Sequence, residues 1–267
     1  MRRSKMAGLM AGLLVMVAAG QAMTHEMYLK ADNYHFKPKS EATLTLVNGT
    51  FDESSNSISR NRMQDVSIFG AGKLQHPDAS SWSDANKSSY LKFVTGEEGT
   101  YVAGVSTKPT VIEMKAEDFR NYLRLEGIPD TLESFDQGPP LENVRERYSK
   151  HVRAIFQVGD KRSSDFSKAL GYPVEVILKN NPYQLKVGDE VSFQVLYQGT
   201  PVANQFINAG RVGLLNAYQL RTDNDGVAKF KITESSGWYI SLIYMQKVDA
   251  PDADYESNWA TVTFQVE

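Results

Sequence analysis

The feature that most constrains the fold of this chain is a succession of short runs of β-forming residues, each bounded by turn residues. The segments Thr100 to Ser106 and Val227 to Ile232 are examples, rich in β-branched and aromatic side chains. Gly, Pro, Asn and Asp separate the runs, and these residues favour turns. Short strands at this spacing predict a mainly β fold of two sandwich modules, immunoglobulin-like or transthyretin-like.

The first predicted module covers residues 23–160, and a short helical insert at about 115–151 interrupts it. Within the insert, Phe119, Tyr122 and Leu123 recur with helical spacing, and Gly127 is placed to end that helix. The charge-rich segment Leu141 to His151 is the last helical candidate. We therefore expect helices between two β regions.

The second predicted module covers residues 172–267 and is immunoglobulin-like. Asn224-Asp225-Gly226 lies between two β-forming runs and predicts a hairpin turn. The predicted strands of this module are Val174–Leu178, Glu190–Tyr197, Phe206–Val212, Ala217–Arg221, Val227–Ile232, Trp238–Met245 and Trp259–Val266.

Residues 1–22 have the pattern of a secretory signal peptide. A short basic start precedes the apolar run from Met6 to Ala19, and Gly20-Gln21-Ala22 offers small residues for cleavage before Met23. Cleavage after Thr24 is an alternative that would make His25 the first mature residue. No later apolar run is long enough to span a bilayer. We therefore expect export to the periplasm as a soluble protein with no transmembrane segment.

Composition excludes several classes of site and partner. The chain has no Cys, so a metal site would use His, carboxylate, Met or backbone ligands. Signal cleavage removes three positive charges and changes the formal net charge from −3 to −6. A negative net charge argues against nucleic acid as a partner.

His25 and Glu26 are the candidate metal ligands. They stand side by side at the start of the first predicted strand, next to the signal peptide. Imidazole and carboxylate suit a divalent transition metal such as nickel, cobalt, copper or zinc. Adjacent side chains on a regular strand point to opposite faces, however. A polar strand end with a hydrogen-bonded His is the alternative.

The remaining polar residues give weaker signals. His35, His76 and His151 are scattered, and we expect surface or structural roles for them. Tyr255 and Trp259 flank Glu256 and would either line a groove or seal one module against the other. The sequence has no Cys nucleophile, no Gly-x-Ser-x-Gly, no His-Glu-x-x-His and no phosphate-binding Gly loop. We therefore expect no enzymatic activity, although a hydrolase site assembled from distant strands would leave no local motif.

Several segments together resemble a bacterial periplasmic family, a domain of unknown function described as a periplasmic component of cobalt or nickel transport (NikM-like). One departure is Tyr244, where the family often carries a His before Met245. The segments that carry the resemblance are His25-Glu26-Met27-Tyr28-Leu29, Asn48-Gly49, Lys108 to Glu113, Ala116 to Leu123, Glu146 to Lys150, Trp238 to Met245 and Tyr255 to Phe264.

The resemblance implies a periplasmic accessory protein that binds or delivers a divalent transition metal for uptake. An inner-membrane metal transporter or an outer-membrane receptor would then be the partner. The alternative is a β-sandwich interaction module that binds no metal and docks on an envelope protein or a glycan. The immunoglobulin-like half motivates this alternative, because that fold hosts many binding functions without implying any one of them.

Overall fold

The computed structural model describes residues 26–267, which are mainly β with two α-helices. The predicted signal peptide and His25 lie outside the described residues. The first half contains β1 (Glu26–Lys30), β2 (His35–Phe36), β3 (Glu41–Gly49), β4 (Met63–Gly70), β5 (Lys73–Gln75), β6 (Trp82–Ala85), β7 (Ser88–Val94), β8 (Gly99–Thr107), β9 (Thr110–Lys115), α1 (Ala116–Leu125) and α2 (Pro129–Asp136).

The second half is built from strands alone, apart from two short 3-10 turns at Asp165–Ser167 and Pro182–Gln184. Its strands are β10 (Asn143–Val158), β11 (Val174–Leu178), β12 (Glu190–Tyr197), β13 (Thr200–Pro201), β14 (Phe206–Arg211), β15 (Leu214–Arg221), β16 (Val227–Lys231), β17 (Ser236–Ala250) and β18 (Ala253–Val266). The mainly β fold with a short helical insert is confirmed.

The strands form three sheets. The N-terminal sheet has the order β1-β3-β7-β6, and the C-terminal sheet is β11-β12-β13 with β16 also paired to β12. The central sheet has ten strands in the order β15-β14-β17-β18-β10-β8-β4-β5, with β2 and β9 paired to β10. The central sheet therefore takes strands from both predicted modules.

The join between the predicted modules is the parallel pairing of β10 with β18. Residues Glu146 to Ala154 run beside Tyr255 to Thr263, with Glu146 opposite Tyr255 and Lys150 opposite Trp259. On either side of this pair, β8 and β9 add to β10, and β17 adds to β18, in antiparallel register. A continuous set of backbone hydrogen bonds thus crosses from one module to the other.

The apolar core lies on both faces of the central sheet. On one face Ile155, Val262 and Trp238 pack against the C-terminal sheet. On the other face Phe156 and Val152 pack against the N-terminal sheet. Further along this second face, α1 and α2 cover the sheet through a separate cluster made by Phe119, Tyr122, Leu123, Ile128, Phe135, Val144, Ile243, Tyr255 and Trp259.

The prediction of a helix over Leu141 to His151 is wrong. Helices occupy only Ala116–Leu125 and Pro129–Asp136 of the predicted insert, and the chain is extended from Asn143. The charges on β10 have partners on both faces, which a sequence pattern does not reveal. Arg145 and Arg147 pair with Asp254 and Glu256 of β18 at 2.9 and 2.8 Å.

The hairpin predicted at Asn224-Asp225-Gly226 is also wrong in its topology, although the turn itself is present. Asp223 Oδ1 accepts the N–H groups of Asp225 and Val227, each at 2.9 Å, and Gly226 takes a φ of +71°. The two flanking strands belong to different sheets, because β15 pairs with β14 and β16 pairs with β12. The turn thus links the central sheet to the C-terminal sheet.

A buried ion pair fixes the C-terminal sheet on β10. Arg153 Nη1 lies 3.0 Å from Glu175 Oε1, and the two side chains are 1% and 4% exposed. Glu175 also accepts the backbone N–H groups of Leu170 and Gly171. A buried charge without these partners would be costly, so the pair restricts how β11 can sit on the central sheet.

The first strand is held against the central sheet by threonine hydroxyls. Thr261 Oγ1 donates to the carbonyl oxygen of Met27 at 2.8 Å, and the Thr263 hydroxyl donates to that of Leu29. These carbonyls lie on the edge of β1 that does not pair with β3. The two hydroxyls therefore satisfy an open strand edge and fix the position of Glu26.

Replacing Thr261 by Val should remove this support at nearly constant volume. The Met27 carbonyl would stay buried without its donor, and we expect a loss of about 1–3 kcal/mol in the free energy of unfolding. Thr43→Val, at an exposed position of β3, is the matched control. Urea unfolding followed by Trp fluorescence measures the difference, and equal stabilities of the two variants would contradict the supporting role.

Candidate functional site

Of the two predicted metal ligands, the structure describes Glu26, which begins β1 and is half-buried. It faces a group of charged side chains from distant parts of the chain. We call Glu26, Glu126, Glu146 and Lys150 the Glu26 cluster. Glu26 and Lys150 act on each other's pKa, and the charges of Glu126 and Glu146 also act on that of Lys150.

Three elements bring these side chains together. Glu146 and Lys150 lie four residues apart on β10, so strand alternation puts both on the face that the helices cover. Glu126 directly follows α1, and the next residue, Gly127, ends the helix with a φ of +69°. The N-terminal end of β1 completes the cluster.

Glu146 is the most deeply buried member, at 1% exposure. Its Oε1 accepts from Tyr122 Oη at 3.0 Å and from the Ser257 hydroxyl, which also accepts from Trp259 Nε1 at 3.2 Å. Its Oε2 is buried without a hydrogen-bond partner among the described residues. Burial raises the pKa of Glu146, because a charged carboxylate loses its hydration there.

Lys150 supplies positive charge to the cluster. Its Nζ lies 5.0 Å from the ring centroid of Trp259 and donates to Asn48 Oδ1 at 3.3 Å. Burial lowers the pKa of Lys150 to about 8, and the charge of Arg62 also lowers it. The three glutamates act in the opposite direction and favour the charged ammonium.

Glu26 has a pKa raised to about 7. Burial is the main cause, and the charge of Glu126 adds to it, while Lys150 lowers the pKa. The cluster thus gathers three carboxyl groups around one ammonium group. The raised pKa values of Glu26 and Glu146 favour the protonated, neutral forms of these two carboxyl groups.

The described carboxylates do not form a complete metal site by themselves. Across residues 26–267, no group of three or more His, Asp or Glu side chains is arranged to hold a metal ion. His25 itself lies outside the described part of the chain.

The other histidines are tied into local contacts. His35 Nδ1 lies 3.3 Å from Glu267 Oε1, and His76 Nδ1 lies 3.0 Å from Asp65 Oδ1. His151 is buried on the face of β10 opposite Lys150. These positions agree with surface and structural roles.

His151 belongs to a buried Ser-His-Asn arrangement that resembles a catalytic triad in composition. Its Nδ1 lies 2.9 Å from Ser106 Oγ, and its Nε2 lies 3.2 Å from Asn258 Oδ1. All three side chains are buried, so no substrate reaches the hydroxyl in this arrangement. Burial also lowers the pKa of His151 to about 4, far below the value that suits a general base near neutral pH. The geometry fits a structural network between β8, β10 and β18.

Tyr255 and Trp259 seal the helical layer on the central sheet. The Tyr255 ring lies 4.9 Å from Phe119, and the Trp259 ring stacks on Tyr122 at 6.2 Å between centroids. Glu256 lies on the other face, beside Arg147. Sequence reasoning left both a groove and a seal open, and the packing favours the seal.

Sequence reasoning missed Glu126, Glu146 and Lys150 as neighbours of Glu26. The sequence does indicate that Glu146 and Lys150 lie together, because residues four apart share a face in a strand and also, approximately, in a helix. With Leu141 to His151 predicted as a helix, its charged side chains are interpreted as exposed to solvent rather than as members of a site.

The raised pKa of Glu26 predicts a measurable dependence of stability on pH. The folded state binds a proton at Glu26 more readily than the unfolded state does, so this residue lowers the free energy of unfolding as the pH rises from about 4.5 to about 7. Glu26→Gln removes the effect. The free energy of unfolding of Glu26→Gln minus that of the native protein should therefore be greater at pH 8 than at pH 4.5, by about 1–3 kcal/mol. Urea unfolding with a chelator present measures this.

Glu41→Gln, at the exposed start of β3, is the control for that experiment. Its free energy of unfolding should change between pH 4.5 and pH 8 by the same amount as that of the native protein. An identical pH dependence in Glu26→Gln and the native protein would contradict the buried environment of Glu26.

Comparison with solved structures gives distant matches. The D0-D1 domain of intimin is 13% identical, with 90% of this chain and 97% of that chain covered and a TM-score of 0.21. Bovine butyrophilin is 11% identical, with coverages of 91% and 98% and a TM-score of 0.22. Trypsin-activated alpha-2-macroglobulin from Escherichia coli is 10% identical, with coverages of 90% and 15% and a TM-score of 0.26. These values carry no information on activity or partners.

Sequence comparison is more specific about the family than about its function. No curated protein matches the chain. The family model of a domain of unknown function, DUF4198, matches residues 22–246, which is most of the chain and includes the whole Glu26 cluster. The match leaves the cobalt or nickel role implied by the resemblance as a hypothesis. The chain belongs to the DUF4198 family, a domain of unknown function.

Proposed function

We propose that this protein is a periplasmic accessory protein that binds a divalent transition metal of the nickel and cobalt class and delivers it for uptake. The observation that carries the proposal is the position of Glu26. This residue begins the first strand directly after His25, and the charges of Glu126 and Lys150 act on it, in a cluster with more carboxyl than ammonium groups.

The chemistry of the ligands supports a transition metal. His25 would donate an imidazole nitrogen and Glu26 a carboxylate oxygen, and this combination suits nickel, cobalt, copper and zinc. Glu126 and Glu146 would add negative potential behind these ligands. The raised pKa of Glu26 reflects mainly its burial, and a divalent cation would stabilise the charged carboxylate.

Delivery requires an exported protein and a membrane partner. The signal-like residues 1–22 support export, and an inner-membrane metal transporter or an outer-membrane receptor would receive or provide the ion. Within the described chain, no helix is sufficiently long and apolar to cross a membrane. The protein would thus act beside such a transporter or receptor.

A second candidate function is docking on an envelope protein or a glycan without a metal. The observation that favours it is the exposed apolar tip between β14 and β15. Val212, Leu214 and Leu215 are 52%, 47% and 43% exposed at this edge of the central sheet. Exposed apolar residues in one place are typical of interaction surfaces.

Metal titration of the mature protein, purified from periplasm with its native N-terminus, tests the first function. Calorimetry with nickel, cobalt, copper and zinc should show one ion per chain. Either His25→Ala or Glu26→Gln should weaken binding by at least about tenfold, because each removes one of the few available ligands. Mass spectrometry of the intact protein establishes where the signal peptide is cleaved.

His76→Ala is the matched control, since His76 is exposed and lies beside Asp65, away from β1. It should bind metal as the native protein does. Absence of binding, or equal weakening in His76→Ala and His25→Ala, would contradict the metal function and favour docking through the β14–β15 tip.

A further inference from the structure

The outer face of the N-terminal sheet carries an open groove that the proposed metal function does not use. The groove has a volume of about 410 Å³ and lies between the segment that follows β1 and the strands β3 and β7. This volume is in the range of sites for small molecules. The polar residues that line the groove are Asp32, Asn33, Glu41, Thr43, Thr45 and Tyr90.

Strand alternation places an aromatic ring and two hydroxyl groups side by side in this groove. Along β3 buried residues alternate with more exposed ones, and Thr43 and Thr45 belong to the exposed set. Tyr90 of β7 lies directly opposite Thr45, so the two side chains share a face. The next residue, Leu91, is buried in the core, whereas Tyr90 is half-exposed on the outer face.

The polar groups of the groove are hardly used by the protein itself. Asn33 Oδ1 accepts the backbone N–H of His35 at 2.9 Å, which leaves the amide nitrogen of Asn33 as a donor for a ligand. The other five polar side chains of the groove form neither a hydrogen bond nor an ion pair within residues 26–267. The groove therefore offers both hydrogen-bond donors and acceptors to a bound molecule.

The chemistry of this lining discriminates between classes of ligand. The carboxylates of Asp32 and Glu41 repel an anion. A metal ion is also disfavoured, because no group of three or more His, Asp or Glu side chains in the described chain is arranged to hold one. An organic cation would use the carboxylates but none of the donors. A sugar uses both, since its hydroxyl groups donate to carboxylates and accept from amide and hydroxyl groups.

We therefore infer that this groove binds a neutral carbohydrate. The C–H groups of one sugar ring pack on the face of Tyr90, which carries partial negative charge. The sugar hydroxyls bond to the carboxylates of Asp32 and Glu41 and to the amide of Asn33. The same chemistry recognises a free sugar and a sugar unit of an envelope glycan. The inference deepens the second candidate function, docking on a glycan, and does not depend on the metal.

Calorimetry of the mature protein with defined sugars tests the inference. The free sugars are glucose, galactose, mannose and N-acetylglucosamine, and the oligomers are cellotetraose, mannotetraose and chitotetraose. At least one of these probes should bind at one site per chain. Tighter binding of an oligomer than of its free sugar would identify a glycan as the ligand, and equal affinities would identify the free sugar. Absence of binding to every probe would overturn the inference.

Two substitutions in the groove locate the binding site. Tyr90→Ala should weaken binding by at least about tenfold because it removes the ring, whereas Tyr90→Phe keeps the ring and should stay within about threefold of the native affinity. Asp32→Asn should weaken binding by about fivefold or more, because it removes a charged acceptor. Asp32 is exposed after β1, so this variant leaves the core intact. Native affinity in both Tyr90→Ala and Asp32→Asn would overturn the inference.

Asp84→Asn is the matched control for the loss of charge. Asp84 is exposed on β6 of the same sheet and does not line the groove. This variant removes one negative charge and should keep the sugar affinity within about twofold, since charge at a distance is screened by salt.

Leu215→Ser, at the exposed β14–β15 tip, separates the inference from the second candidate function. It should bind the sugar as the native protein does. Sugar binding that is lost in Leu215→Ser but kept in Tyr90→Ala would place glycan docking at the tip and overturn the groove as its site. Absence of sugar binding leaves the metal function standing, because metal titration tests that function separately.

Discussion

The parallel pairing of β10 with β18 is the constraint on which the rest of the structure depends. It joins segments more than a hundred residues apart, Glu146 to Ala154 and Tyr255 to Thr263, and makes a single sheet from the two predicted modules. Parallel neighbours require a long connection, and here the whole C-terminal sheet is formed within that connection. Both faces of this strand pair are then covered, one by the C-terminal sheet and the other by the helices and the N-terminal sheet.

Covering both faces forces polar side chains of β10 into the interior, where each needs a partner. Arg153 pairs with Glu175, His151 bonds to Ser106 and Asn258, and Glu146 accepts from Tyr122 and Ser257. The first two sets lie on the side of the C-terminal sheet, and in them Arg153 Nε and Asn258 Nδ2 are buried without a hydrogen-bond partner among the described residues. The Glu26 cluster, on the side of the helices, differs from them because its three carboxyl groups outnumber its one ammonium group. This excess of carboxyl groups is why we propose a ligand site on that face.

Local sequence patterns predict some elements of this fold correctly and others incorrectly. Strands with apolar runs, such as Val174–Leu178 and Glu190–Tyr197, lie where their composition predicts. The helix predicted over Leu141 to His151 is wrong because charged residues occupy both faces of the strand that begins at Asn143, so the strand lacks the alternation of polar and apolar residues. Asp254 and Glu256 compensate its arginines, but they are more than a hundred residues away in the sequence. Similarly, the residues from Asp223 to Gly226 predict a turn, but they do not predict which two sheets the turn connects.

The sequence by itself determined the mainly β class, the two helices with Gly127 at the end of the first, the family and the candidate ligands His25 and Glu26. These follow from side-chain periodicity, turn chemistry and adjacent residues, all of which act over a few positions. Only the tertiary structure decided that the charges of Glu26, Glu126 and Glu146 all act on Lys150 and that Lys150 Nζ lies over the Trp259 ring. The register between distant strands sets these contacts, and it depends on the packing of whole sheets rather than on any local pattern.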